Sequence, residues 1–127
     1  MDQEIYQEYI IELYKHPLNF GRIEGADHHS IAQNQTCGDS IELFLKAKDG
    51  VITEARFLGK GCAISQASAS LFTGFLKGKK ISGLGKIGKD DILGLIKIDL
   101  SKNPSRMKCA LLPLDALRKA LADRNQL

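Results

Sequence analysis

Between Ile41 and Phe57 the chain alternates apolar and charged residues across an Asp49-Gly50 turn signal, then changes period abruptly. Ile41, Leu43, Leu45 and Ala47 alternate with Glu42 and Lys46, and Val51, Thr53, Ala55 and Phe57 alternate with Glu54 and Arg56. Alternation with one apolar face defines a half-buried hairpin, and a one-residue slip would reverse its faces. A two-residue turn at Asp49-Gly50 would pair Leu45 with Glu54 and put charge on the apolar face. The spacing therefore predicts a three-residue loop, Lys48-Asp49-Gly50, with Ala47 paired to Val51, Leu43 to Ala55 and Ile41 to Phe57. Gly50 suits the left-handed position that such a loop needs. After Gly59-Lys60-Gly61 the apolar residues recur at helical spacing: Ile64, Ala67, Leu71 and Phe75 form a stripe among Ala and Ser.

The remaining segments follow from the same rules. Asp2 to Lys15 reads as an amphipathic helix stopped by His16-Pro17. Leu18 to Asp27 reads as an irregular loop and His28 to Thr36 as a polar strand. The Gly- and Lys-rich stretch Lys77 to Lys89 reads as a loop with little structure of its own, and Asp90 to Ile96 as a short helix. Leu114, Leu117 and Leu121 mark a last helix, with Pro113 in or just before its first turn. Three strands in sequence without crossover helices give an α+β fold, a three-stranded antiparallel meander with helices packed on one face. The 127 residues, without repeat or linker, read as a single domain, 1–127.

Composition excludes several function classes. A net charge of +3 with scattered lysines and no Trp lacks the concentrated basic face and aromatic platforms of a nucleic-acid binder. No apolar run approaches the roughly 18 residues of a membrane span, and Met1-Asp2-Gln3-Glu4 does not resemble a signal peptide. The expectation is a cytoplasmic protein without nucleic-acid or membrane partners. Its three cysteines, Cys37, Cys62 and Cys109, are an odd number for a reducing compartment, which argues against a disulfide framework and toward metal or thiol chemistry, with buried small hydrophobes as the ordinary alternative.

None of the three lies inside an apolar stripe. Cys37 falls in the corner between the first two strands, Cys62 at a strand-to-helix turn, and Cys109 before the last helix. A helix N-terminus favours thiolate over thiol, the form that attacks sulfur and binds metal. With Asp39, three thiolates at one end of the sheet would make an S3O set for a tetrahedral metal. Asp39 also has an ordinary alternative, a turn residue bonding its own backbone. His16, His28 and His29 read as solvated side chains, and the glycines from Gly83 to Gly88 lack the order of a phosphate loop.

Cys37-Gly38-Asp39, the stretch GKGCAISQASAS from Gly59 to Ser70, and the lone Cys109 resemble the U-type iron–sulfur scaffold family: IscU, SufU and the N-terminal domain of NifU. Tyr14-Lys15-His16-Pro17-Leu18-Asn19-Phe20-Gly21 resembles the family's N-terminal pattern, so the resemblance spans nearly the whole chain. It implies a SufE/NifU-like fold. It further implies a scaffold that accepts sulfur from a cysteine desulfurase of IscS, SufS or NifS type, binds iron, and assembles a transient 2Fe–2S cluster for apo-protein recipients. Its implied ligands are Cys37, Asp39, Cys62 and Cys109, which in family members also bind zinc.

Two departures shape the reading. Lys108 stands where the IscU branch has histidine, and Asn103 to Met107 replace its chaperone-binding motif. Lys108 and the Cys62–Ser70 wording resemble SufU, yet the interval from Cys62 to Cys109 is too short for the SufU insertion. Alternatives are a zinc-dependent, SufU-type persulfide acceptor and a zinc-stabilised interaction module. Cys109, following an irregular Ser101–Lys108 stretch, is the expected acceptor, with Lys108 stabilising incoming negative charge. The expected state is a monomer or weak homo-oligomer.

Overall fold

The computed structural model describes residues 3–35 and 38–125. Helix α1 (Gln3–Lys15) leads through a loop to strands β1 (His28–Asn34), β2 (Asp39–Lys48) and β3 (Val51–Lys60). Helix α2 (Ala63–Leu76), a 3-10 turn (Ile81–Lys86), α3 (Lys89–Ile96) and α4 (Pro104–Asn125) follow. The strands form an antiparallel sheet in the order β1-β2-β3. Helices α2 and α4 cover one face, α1 packs on α2, and α3 contacts both α2 and α4. This is the meander with helices on one face that the sequence predicts.

The hairpin register differs from expectation. Val51 pairs with Lys48 across a two-residue Asp49-Gly50 turn, both residues having positive φ. Ladder pairing then shifts between Lys46 and Ala47, so that Leu45 faces Ala55, Leu43 faces Phe57 and Ile41 faces Gly59. Thr53 is the extra residue of this bulge, and its hydroxyl donates to the Lys46 carbonyl at 3.2 Å. A bulge puts two residues opposite one and reverses the faces locally. The tight turn is thereby reconciled with an apolar inner face, and Ile52 rather than Val51 or Thr53 joins the core.

Helix α2 is buried nearly all round because its small residues admit neighbours on every side. The Ser68 hydroxyl donates to the Ala110 carbonyl of α4 at 2.6 Å. On the other side Ser70 Oγ accepts the Leu18 N–H, and Thr73 Oγ1 accepts from Asn19 Nδ2, each at 3.2 Å. Asn19, at φ 60°, also accepts from Lys77 Nζ, and its carbonyl takes the Phe57 N–H. The loop after α1 is thus a strap that lies along β3 and covers its open edge. The Lys77–Lys89 stretch is also more ordered than expected: Lys80 bridges Val51, and the 3-10 turn buries Leu84.

Helix α4 begins earlier than expected. The Asn103 side chain accepts the Arg106 N–H at 3.1 Å and its carbonyl the Met107 N–H at 3.0 Å, with Pro104 at the first helical position. Pro113 consequently lies inside the helix rather than at its start. None of the helices among the described residues is long and apolar enough to cross a membrane.

Candidate metal centre

Three segments distant in sequence converge at one end of the sheet. Asp39 opens β2, Cys62 follows the last residues of β3, and Cys109 comes from α4. One ligand atom from each of these three residues lies within 4.8 Å of the other two. Cys37 lies outside the described residues.

Backbone conformation makes the approach possible. Gly61 has φ +132°, and a Cβ there would lie 2.2 Å from Asp39 Oδ1 and 2.4 Å from its Cγ. Only glycine leaves room for the carboxylate at that point. The main chain then enters α2 with Cys62 as N-cap residue, whose own side chain makes no capping bond. Asp39 Oδ1 instead accepts the Cys62 N–H at 3.2 Å. An acidic group thereby serves the positive end of α2 from another strand and leaves the thiol available. The Ser65 hydroxyl donates to the Cys62 carbonyl at 3.1 Å, and Cys62 Sγ lies 3.9 Å from Ser65 Oγ.

The Asp39 residue is 3% exposed, and among the described residues its Oδ2 has no hydrogen-bond partner. Burial pushes the Asp39 carboxyl up. The Cys109 and Cys62 thiols, the Cys62 N–H and the Ser65 hydroxyl together outweigh burial and hold it below the ordinary carboxylate value. A charged, buried carboxylate with one oxygen left over is costly by itself, roughly 1–3 kcal/mol or more. A cation between it and two thiols would remove that cost, so these residues fit a metal.

The two described thiols differ in access. Cys62 is exposed and Cys109 is buried at 5% exposure. The expectation that Cys109 sits on an irregular stretch before the last helix is therefore corrected: Asn103 starts α4 at Pro104 and puts Cys109 in its second turn. Lys108 is exposed and is not among the residues lining the cavity beside the two thiols, whereas Arg106 is. Arg106 precedes Cys109 by three residues, which on a helix is the same face. The sequence reading missed Arg106 because Cys109 was not placed in a helix, and missed Ser65 because it resembled helix filler. His28 is buried on β1, His29 contacts Glu42 and His16 lies near Glu12, so none of the three joins the group.

Fold and site together define a small α+β domain with a thiol–carboxylate group that could hold a metal where the sheet meets its helices. The NifU-like N terminal domain family matches residues 5–126, and the chain belongs to that family. It is 38% identical over 133 residues to the zinc-dependent sulfurtransferase SufU of Bacillus subtilis, covering 93% of this chain and 90% of the relative. It is 34% identical over 122 residues to the iron-sulfur cluster assembly scaffold protein IscU of Escherichia coli, covering 93% and 92%. Among solved structures, a putative iron-sulfur cluster assembly scaffold protein for the SUF system from Fervidobacterium islandicum superposes with a TM-score of 0.79 at 31% identity, over 95% of this chain and 99% of that one.

Proposed function

We propose that this chain, as one domain spanning 1–127, is an iron–sulfur cluster assembly scaffold. Cys37, Asp39, Cys62 and Cys109 hold iron and sulfide as a transient 2Fe–2S cargo, with sulfur supplied by a cysteine desulfurase and the cluster released to apo-protein recipients in the cytoplasm. The observation that carries this reading is the convergence of two thiols on a buried carboxylate, Asp39, whose Oδ2 has no hydrogen-bond partner among the described residues. Three soft sulfurs and one harder oxygen suit either tetrahedral zinc or iron in a cluster, and the oxygen is the weakest corner. A recipient thiolate can displace that corner, which a donor needs and a storage protein does not.

Lys108 in place of a histidine ligand, together with the name of the Bacillus relative, favours a second reading: zinc holds the site ready and a cysteine takes a persulfide. Exposure then selects the acceptor. Of the two described thiols, Cys62 is the more accessible, at the positive end of α2, and takes sulfur before Cys109.

Metal analysis of the chain should find about one zinc when iron and sulfide are absent, with Cys62→Ser lowering the affinity sharply. Full occupancy in the triple cysteine-to-serine variant would overturn the site. Visible spectra after anaerobic loading with iron and sulfide separate a scaffold from a zinc-only acceptor. A chain that binds zinc but takes neither cluster nor persulfide is an interaction module. Asp39→Cys, once shown to fold and load normally, should release its cluster more slowly to an apo-ferredoxin. Equal rates would leave Asp39 with a turn-forming role.

A further inference from the structure

Beside the two thiols lies a cavity of about 420 Å³, a volume typical of small-molecule sites. Ile10 and Ile11 of α1, Ile64 of α2 and Ile98 before α4 give it apolar walls. Arg106 is the one charged residue among its described lining, and its guanidinium joins no ion pair among the described residues. An unpaired guanidinium is a planar fork matched to a carboxylate. Apolar walls, one guanidinium and two thiols in the same lining set the chemistry of an occupant.

We propose that this cavity binds a small carboxylate-bearing thiol, with the carboxylate on Arg106 and the sulfur toward Cys62. Its role rests on the reading that Cys62 carries a persulfide. The bound thiolate attacks the outer sulfur, forming a new S–S bond to the ligand. The bond from that sulfur to Cys62 Sγ breaks, and Sγ leaves with the electron pair as thiolate. The ligand's thiol proton has gone to solvent beforehand. No oxidant or reductant is consumed, because the sulfur only changes carrier.

The binding step is tested without sulfur chemistry by titrating butyrate, a thiol-free stand-in for 3-mercaptopropionate, into the chain and following isoleucine methyl resonances. Saturable shifts of the four wall isoleucines are expected with butyrate and not with butylamine. Arg106→Gln should abolish them while leaving the remaining spectrum intact, and Ile98→Trp should do so by filling the space. The transfer step is read on persulfide-loaded chain, where 3-mercaptopropionate should remove the extra sulfur at least about tenfold faster than cysteamine, a preference lost in Arg106→Gln. Absent methyl shifts, or shifts only on adding a desulfurase, overturn the proposal and leave the scaffold reading standing. Failure to form any persulfide overturns the acceptor reading instead, while the butyrate result still decides whether the site exists.

Discussion

The β2–β3 hairpin has a left-handed glycine at each end, and the two serve different ends. Gly50, at φ +78°, turns the chain in open space, with nothing within 4 Å of where a Cβ would stand. Gly61, at φ +132°, lies so close to Asp39 that an added Cβ would fall 2.2 Å from the carboxylate. The first glycine satisfies the backbone alone. The second satisfies the backbone and also makes room for a metal-ligand candidate, so its loss should reach chemistry as well as folding. A glycine motif at a turn therefore says little until its neighbour is known.

The largest effect is expected at Gly61. Gly61→Ala should cost about 3 kcal/mol or more in urea unfolding, through strain and overlap, and should abolish zinc binding in a metal titration. Normal loading by that variant would dissolve the distinction between the two ends. Gly50→Ala should cost about 1–2 kcal/mol, the ordinary penalty of a left-handed alanine, with zinc affinity unchanged. A loss of affinity there would mean that the distant turn governs the site.

Asn19→Ala sharpens the contrast from the strap. It removes bonds to Thr73 and Lys77, so unfolding should become easier by about 1 kcal/mol while metal affinity holds. The smallest effect concerns pH. Asp39 has a folded-state value below its ordinary one, so its ionisation contributes stability that is fully present above about pH 4. That contribution disappears as pH falls through the lowered value. In metal-free protein, Asp39→Asn should therefore flatten the acid limb of a stability–pH curve below pH 4. An unchanged limb would show that the carboxylate gains nothing from its neighbours.

What could be read in advance depended on whether the signal was local. Alternation assigns Ile41, Leu43, Leu45, Ala55 and Phe57 to the inward face because burial acts residue by residue, but it fails at Val51 and Thr53, where Ile52 turns inward instead. It missed the register because Thr53, a good strand residue, gives no sign of being the extra residue of a bulge. Gly61 marked the turn at Cys62. Asn103-Pro104 is equally compatible with a turn and a helix start, and Pro113 offers a second start, which places Cys109 outside α4 by sequence alone. The convergence of Asp39, Cys62 and Cys109 is a long-range outcome of sheet order and helix packing. Spacing alone does not encode it; the motif resemblance suggested it.

Pro113 gives α4 a mechanical property. It has no N–H to return to the carbonyl four residues back, which is that of Cys109, and its ring crowds the same carbonyl. The next carbonyl along, Ala110, is held from α2 by Ser68. Proline inside a helix is the usual place for a bend, and Cys109 lies one turn before it. Asp39 and Cys62, by contrast, are tied by a hydrogen bond, with Asp39 close over Gly61. A metal held by the three side chains would thus meet two ligands joined by a hydrogen bond and a third on a helix with a proline one turn on.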